Sequence, residues 1–299
     1  MYQWANSFAV ALIGLFLACE AGAEVQGSPD ILVLGDSQLS FGAGLAFVAL
    51  FDEMQGDCGL TPGATVGVIG VRSSSLRSWT SANRSAKSAI CDVDPTWNVN
   101  AGVYGTLALS DNPWVQIGRG EQFQFCAAER SPLQAVFHAG YYQPRLLIMF
   151  LMGNAAERWA GSAEAALQDV RAFVADLPPG QPCIFMTSAP TYGEQSVRLR
   201  QRAQDNIATA FAEAGGQCGF VPGFTAETIS LNLGNAANFR RNDAGRVRDP
   251  YHPTEVAARQ FMGLQRAALC QAIAQQLGAR SRHAGIDADH EPATLLTLQ

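Results

Sequence analysis

Short apolar runs that alternate with helical segments are the feature of this chain that most narrows its possible folds. Four runs bounded by turn residues have the length of buried strands; they are Ile31 to Leu34, Ala64 to Ile69, Leu146 to Met152 and Cys183 to Thr187. Helical patterns follow, at Phe41 to Met54, Ala163 to Leu177, Val197 to Ala214 and from near Thr254 to about Leu277. This alternation predicts an α/β fold with a largely parallel sheet.

The stretch from about 77 to 130 does not continue this rhythm and is rich in Trp, Asn and Gly. A structureless loop of about 50 residues is improbable inside a compact domain. We therefore predict one domain over residues 24–279 with an inserted segment after its second strand, followed by a disordered polar tail at 280–299. Three tryptophans in or beside the insertion either stack on sugar rings or form its core; they are Trp79, Trp97 and Trp114.

The overall charge gives no electrostatic reason to expect a nucleic-acid partner, because 26 acidic residues outnumber 20 basic ones and leave a net charge of −6. Hydrophobic residues make up 48% of the chain and charged ones 15%, which excludes a disordered protein. These values are typical of a globular domain and place no limit on small-molecule substrates.

The N-terminus has the pattern of a signal peptide. An apolar run from Phe8 to Ala18 precedes the small residues Ala21-Gly22-Ala23, which predicts cleavage after residue 23 and a periplasmic or secreted protein. The residues before the run lack the usual Lys or Arg. Cys19 offers a second interpretation, an acylated lipoprotein cysteine, whereas a retained anchor is disfavoured because about 11 apolar residues are short for a membrane span.

Cleavage at that position leaves six cysteines: Cys58, Cys91, Cys126, Cys183, Cys218 and Cys270. In an oxidising compartment this even number predicts disulfides, although the spacing selects no pairing; in a reducing cytosol they would be buried thiols. No C-x-x-C pair or histidine cluster with metal-ligand spacing is present. We expect neither a metal nor a cofactor.

Two motifs carry residues suited to nucleophilic catalysis. Gly35-Asp36-Ser37 ends the first strand, where parallel sheets open onto a ligand crevice. Asp249-Pro250-Tyr251-His252-Pro253 comes just before the last helix, with Asp249 spaced to orient His252 as a base for Ser37. Taken alone, Ser37 is a helix cap and His252 a loop histidine; together they indicate a serine hydrolase.

Two further residues are candidates for an oxyanion hole, which needs donors at the developing negative charge. Asn154 follows the third strand and brings an amide to the same sheet edge as Ser37. Gly70 ends the second strand and offers a backbone N–H, with Gly67 as a rival three residues earlier. Each is an ordinary turn residue if considered alone.

In this order, Gly35-Asp36-Ser37, Gly70, Asn154 and Asp249-x-x-His252 resemble the motifs of the SGNH (GDSL-type) hydrolase superfamily. The resemblance spans about Ile31 to Leu277. It implies a three-layer α/β/α fold with a flavodoxin-like sheet, and esterase, lipase, thioesterase or carbohydrate-deacetylase activity without a metal. The third motif departs from the family pattern, because Met152 replaces its Gly and Ala155 its Asp.

Carried over, the family roles make Ser37 the nucleophile, His252 the base and Asp249 its orienter, with the oxyanion bound by the Ser37 and Gly70 N–H groups and the Asn154 side chain. We expect an exported esterase acting on a small-molecule or glycan ester, with O-acylated carbohydrate as the leading substrate class. Arginines near the catalytic loop either bind an acidic group or form a solvated surface; they are Arg72, Arg240, Arg241 and Arg248. The alternatives are a lipase or thioesterase, and a catalytically weak glycan-binding protein of the same fold.

Overall fold

A six-stranded parallel sheet forms the centre of the structure, a computed structural model that describes residues 28–81, 115–118, 130–138 and 142–288. Its strands are β1 Ile31–Gly35, β2 Val66–Val71, β3 Val115–Gly118, β4 Leu146–Phe150, β5 Cys183–Met186 and β6 Cys218–Val221. They lie in the order β3-β2-β1-β4-β5-β6. A separate antiparallel hairpin pairs β7 Phe239–Arg241 with β8 Val247–Pro253.

Helices cover both faces of the sheet. They are α1 Gly44–Glu53, α2 Leu76–Thr80, α3 Pro132–Phe137, α4 Ala156–Gly161, α5 Ala163–Asp176, α6 Glu194–Ala214, α7 Ala226–Asn232 and α8 Glu255–Ala288. Side chains of β1 alternate between two cores, since Leu32 and Leu34 pack with residues of α2 to α6. Ile31 and Val33 pack on the other face with residues of α1 and α8. The predicted three-layer α/β/α arrangement is therefore confirmed.

The strand order fixes where a site can lie. Without the edge strand β3, the order β2-β1-β4-β5-β6 is the flavodoxin-like one, in which the chain adds strands first on one side of β1 and then on the other. At such a reversal the connections leave in opposite directions, which opens a crevice at the carboxyl end of β1. Ser37 lies two residues beyond that end.

Part of the predicted insertion belongs to the main sheet, because Val115–Gly118 pairs with β2 as an edge strand. Trp79 is fully buried in the core on α2, which packs against α3 and α5, so the interpretation of this residue as an exposed sugar platform is wrong. An apolar ring at the start of the insertion closes the main core instead. Trp97 and Trp114 lie outside the described residues.

The last helix is longer than the sequence pattern predicted. It passes Leu277, where its apolar stripe ends, and continues to Ala288, because the Ala and Arg residues there favour helix and the two glycines, Gly278 and Gly285, do not stop it. The predicted tail at 280–299 thus begins as helix, and its residues after 288 lie outside the described part. The signal-peptide region 1–23 also lies outside it.

Two disulfides connect distant parts of the chain. Cys183 and Cys218 are register partners on β5 and β6, and Cys58 after α1 is bonded to Cys270 on α8. Cys91 and Cys126 lie outside the described residues. Disulfides are typical of proteins in oxidising compartments. Within the described residues, no helix combines the length and apolar character needed to cross a membrane.

Candidate active site

The turn after β1 brings Ser37 to the mouth of a cleft of about 850 Å³. Gly35 must be glycine, because a Cβ there would collide with the carbonyl oxygen of Phe150 on β4 and lie 2.7 Å from the Leu39 side chain. This close approach lets the chain leave the strand sharply. The Gln38 N–H donates to Asp36 Oδ1 at 2.9 Å, which closes the turn around Ser37.

Asp36 joins the serine turn to the loop after β4. Its carboxylate is 1% exposed and accepts N–H groups from Gln38, from Met152 at 3.4 Å and from Gly153 at 3.2 Å. Burial raises the pKa of the Asp36 carboxyl, an effect opposed by these N–H donors and by the positive charge of Arg200. The family-motif aspartate is thus a buried anchor between two loops.

The catalytic candidates form a continuous chain of hydrogen bonds. His252 Nε2 lies 2.8 Å from Ser37 Oγ, and its Nδ1 lies 2.8 and 3.0 Å from the two oxygens of Asp249. A carboxylate accepts, so Nδ1 carries the hydrogen and Nε2 is free to accept the serine proton. Asp249 and His252 lie on strand β8 of a hairpin, and not on a loop as expected from the sequence.

Backbone donors fix Asp249 in its ionised form. Its Oδ1 accepts the N–H groups of Tyr251 and His252 at 3.1 and 3.2 Å. Burial alone would raise the pKa of Asp249, but hydrogen bonding and charge interaction with His252, together with these N–H groups, lower it below the ordinary value. The carboxylate therefore remains charged and holds the imidazole in one orientation.

Gln38 connects the serine turn to the strand that carries His252, and no sequence pattern predicted this role. Its Nε2 donates to the carbonyl oxygens of Ala189 and Tyr251, both at 3.0 Å, and its Oε1 accepts the Ala189 N–H at 2.9 Å. Tyr251 directly precedes His252.

The Phe41 ring packs against the imidazole of His252, with ring centroids 4.5 Å apart. The turn Leu39–Ala43 that carries it is kinked at Gly42, whose φ of 148° favours glycine and where a Cβ would lie 3.2 Å from the backbone of Glu255. Two candidate substrate arginines lie over this ring, Arg72 at 4.4 Å and Arg240 at 4.8 Å. Their cations thus surround the aromatic neighbour of His252.

The other two arginine candidates lie apart from the site. Arg241 and Arg248 are exposed on the β7–β8 hairpin and do not line the cleft. Arg240, on the same hairpin, lies over the Phe41 ring but is not part of the cleft lining either. The arginines that line the cleft are Arg72 and three from α6 that sequence reasoning missed: Arg198, Arg200 and Arg202. A run of charged residues on a helix is typical of a solvated face, so nothing in the sequence marked Arg200 as buried.

Asn154 lines the cleft opposite the histidine, and its Nδ2 donates to the Ser74 carbonyl oxygen at 2.7 Å. Met152, which departs from the family motif, is buried in the core, and its carbonyl oxygen accepts the Ala155 N–H at 3.1 Å. The replaced residues therefore build a short turn, Gly153–Ala155, that still presents the asparagine.

Gly70 is not brought to the cleft, and this corrects its assignment. It lies inside β2 opposite Gly35, its carbonyl oxygen accepts the Ser40 hydroxyl at 2.8 Å, and it does not line the cleft; Gly67 is farther down the strand. The strand runs one residue past Gly70, so the turn that faces Ser37 comes later in the chain.

Ser73 follows β2 by two residues and lies at the cleft, which Gly70 does not reach. It lines the cleft and has a φ of 62°, a left-handed conformation that non-glycine residues rarely adopt and that occurs often at functional sites. Among the residues described, the backbone N–H groups of Ser37 and Ser73 have no acceptor. Sequence reasoning did not single out Ser73, because no sequence pattern predicts a positive φ at a serine.

The described part of the chain holds no group of three or more His, Cys, Asp or Glu residues placed around a common ion position. Ser37, Asn154 and His252 line one cleft, and Asp249 is hydrogen-bonded to His252 beside it.

Comparison with known proteins found no matching family model and no matching curated protein. Three solved structures are similar. The catalytic domain of peptidoglycan O-acetyltransferase A from Streptococcus pneumoniae has 12% identity and a TM-score of 0.39, covering 84% of this chain and 96% of that one. A Streptococcus pneumoniae protein described as a platelet activating factor has 14% identity and a TM-score of 0.38, covering 86% of each chain. A variant of an acetyl xylan esterase from Geobacillus stearothermophilus has 13% identity and a TM-score of 0.34, covering 84% and 96%.

Proposed function

We propose that this chain is a serine esterase of the SGNH type that hydrolyses carboxylic esters through an acyl-enzyme. The observation that carries the proposal is the hydrogen-bonded chain from Ser37 Oγ through His252 to Asp249 at the mouth of the cleft. This arrangement suits proton transfer from the serine as it attacks a carbonyl. Ester hydrolysis then needs a site for the negative oxygen opposite the histidine.

Three donors are proposed for that oxygen: the N–H groups of Ser37 and Ser73 and the second N–H of the Asn154 amide. Support comes from their position on the cleft and from the two backbone N–H groups that have no acceptor in the described part of the chain. Donors already aimed at the developing charge lower the barrier by about 3 kcal/mol each.

The proposed cycle has two halves. Ser37 Oγ bonds to the ester carbon while its proton moves to His252 Nε2; the tetrahedral intermediate collapses, and His252 returns the proton to the departing alcohol. Water then attacks the acyl-serine, giving a proton to His252, and the acid leaves as Ser37 regains the proton. Asp249 stays ionised throughout and stabilises the imidazolium.

A hydrolysis assay with 4-nitrophenyl acetate tests this proposal. We expect Ser37→Ala to lower kcat about 10⁴-fold or more, because the nucleophile is lost. Ser230→Ala, an exposed serine on α7, serves as the matched control. A serine-directed fluorophosphonate should label Ser37 and no other residue. Equal rates for wild type and Ser37→Ala would overturn the proposal and favour the binding-protein alternative.

We further propose export after removal of residues 1–23 and an O-acylated carbohydrate as substrate. The two disulfides support an oxidising compartment. The aromatic argument for a sugar substrate now depends on Trp97 and Trp114, because Trp79 is in the core. Mass spectrometry of the mature N-terminus tests the cleavage, and rates on acetylated sugars against long acyl chains test carbohydrate against lipid ester.

A further inference from the structure

Arg200 combines deep burial with access to the cleft. It lies on α6, is 7% exposed and forms part of the cleft lining together with Ser37 and His252. A guanidinium remains charged at every physiological pH and carries five N–H donors. Burying such a group without partners is costly, so a buried arginine that opens onto a substrate cleft calls for an explanation.

The guanidinium of Arg200 makes no hydrogen bond to any residue that the structure describes. Asp36 is the carboxylate that interacts with this charge. Burial lowers the pKa of Arg200 and the charge of Asp36 opposes that effect, while the charge of Arg200 lowers the pKa of Asp36. The Asp36 carboxylate, however, already accepts three backbone N–H groups, from Gln38, Met152 and Gly153. Asp36 therefore offsets part of the charge of Arg200 and leaves its donors unused.

Space remains open beside the guanidinium. A Cβ built on Gly153 would contact only Asp36 Oδ2 at 3.4 Å and an Arg200 terminal nitrogen at 3.7 Å. On the other side the guanidinium carbon lies 5.5 Å from the centre of the Tyr251 ring. Tyr251 precedes His252, so the aromatic face that positions Arg200 belongs to the strand that holds the base.

The charge of the cleft lining differs in sign from that of the whole chain. Among the described residues, the cleft lining includes four arginines, Arg72, Arg198, Arg200 and Arg202, and two acidic residues, Asp36 and Glu157. Arg198 is compensated by Glu194 outside the lining. The complete chain carries a net charge of −6, so the described lining of the cleft is more positive than the protein as a whole. A cationic cleft in an acidic protein concentrates anionic ligands where the chemistry takes place.

We propose that Arg200 binds a carboxylate of the substrate, so that the preferred substrates are esters of acidic molecules. The inference rests on the proposed esterase function. A guanidinium edge presents two parallel N–H groups that match the two oxygens of a carboxylate. The anion site thus lies on α6, and not on the β7–β8 hairpin where the sequence first suggested it, because Arg241 and Arg248 do not line the cleft.

Paired esters that share a skeleton and differ by one carboxylate group provide the test. Neutral 4-nitrophenyl butyrate is compared with mono-4-nitrophenyl glutarate, and neutral phenyl acetate with 4-acetoxybenzoate, so that the carboxylate lies in turn on the acyl and on the alcohol part. For wild type, kcat/KM should favour the acidic member of at least one pair. In Arg200→Gln this preference should fall by about 10- to 100-fold, the value of a charge-assisted hydrogen bond.

Arg171→Gln removes the same charge from an exposed ion pair on α5 and should keep the preference. Arg200→Lys should restore part of it, because the charge remains and the planar fork is lost. If Arg200→Gln does not fold, wild type is tested with benzoate, which should inhibit 4-nitrophenyl acetate hydrolysis more strongly than benzamide does, and less so at high salt.

The outcomes separate the two proposals. Ser37-dependent hydrolysis without any preference for acidic esters, and equal inhibition by benzoate and benzamide, would overturn the anion site and leave the esterase intact. Absence of hydrolysis would overturn the esterase, while calorimetric binding of benzoate over benzamide, lost in Arg200→Gln, would still support the site. A fall of equal size for acidic and neutral esters would assign Arg200 a purely structural role beside Asp36.

Discussion

The two sides of the cleft differ in how many of their polar groups are hydrogen-bonded within the protein. On the acid–base side, defined by Ser37 Oγ, Gln38, Asp249 and His252, each polar side chain is hydrogen-bonded within the protein. On the substrate side, defined by Ser73, Asn154 and Arg200, the Ser73 N–H and the Arg200 guanidinium have no hydrogen-bond partner in the described part of the chain.

The difference indicates a division of labour. A base must be held in one tautomer and one orientation before substrate arrives, so its partners are internal. Donors for a substrate oxygen must be free until substrate arrives, and leaving them unpaired lowers stability in exchange for electrostatic stabilisation of the transition state. Mutations on the two sides should therefore have different signatures.

Breaking the acid–base side at its centre should have the largest effect. His252→Ala removes the proton acceptor of Ser37, and we expect kcat for 4-nitrophenyl acetate to fall about 10⁴-fold or more. His138→Ala changes an exposed histidine and should have no effect. Activity of His252→Ala within tenfold of wild type would mean that the hydrogen-bonded chain is not the catalytic unit.

Removing a donor from the substrate side should have the next largest effect. Asn154→Asp has nearly the same shape but replaces the amide donor with negative charge, so we expect kcat to fall about 10²- to 10³-fold with little change in KM. Asn235→Asp, at an exposed position that caps a turn, is the control. An increase in KM at constant kcat would instead indicate that Asn154 binds the ground state only.

Gln38→Leu tests the brace between the two motifs and should have an intermediate effect. The carbonyl oxygens of Ala189 and Tyr251 lose their donor, so His252 shifts relative to Ser37, and kcat should fall about 10- to 100-fold. Unfolding free energy should drop by about 1–3 kcal/mol for unpaired buried groups. The exposed Gln168→Leu should change neither value, and an unaltered pH–rate profile in Gln38→Leu would show that the brace does not position the base.

The smallest expected effect is on the pH dependence of stability. Because the pKa of Asp249 is lower in the folded than in the unfolded chain, its ionised form stabilises the fold above the unfolded pKa, and this contribution is lost as the pH falls through the folded value. Asp36 has the opposite sign: its raised pKa means that stability increases as the pH falls through the folded value.

Urea midpoints at pH 6 and in the acid range should therefore diverge less for Asp249→Asn than for wild type, and more for Asp36→Asn. Asp243→Asn, in an exposed turn of the hairpin, is the reference for a neutralised carboxylate. Identical acid sensitivity of wild type and Asp249→Asn would contradict the ionised, histidine-paired state of this carboxylate.

Local sequence was sufficient for the features that lie at strand ends. The strands β1, β2, β4 and β5 were predicted from apolar runs, and the residues that follow β1 and precede α8 were singled out by motif. These features depend on few neighbours along the chain, so the sequence contains the necessary information.

The features that sequence reasoning missed depend on contacts between distant segments. Gly70 was chosen over Gly67, and Ser73 was not considered, because the end of β2 cannot be placed to within three residues without its pairing partners. The burial of Arg200 depends on how distant segments pack around the cleft, and so do the hydrogen bonds of Gln38. The pairing of β3, from within the insertion, with β2 likewise depends on segments that are far apart along the chain. A polar residue gives no local signal that it is buried.

The disulfide between Cys58 and Cys270 spans 212 residues, nearly the same distance along the chain as the 215 residues that separate His252 from Ser37. Both connections join the first described part of the chain to its last part, so a chain truncated before residue 249, or still emerging from a ribosome or translocon, contains Ser37 without Asp249 and His252. Closing so long a covalent loop disfavours the unfolded chain by about 5 kcal/mol in the entropic model. If the chain is the exported esterase proposed above, oxidation of this pair fastens α8 next to α1 and makes completion of the site a late step, taken where thiols are oxidised.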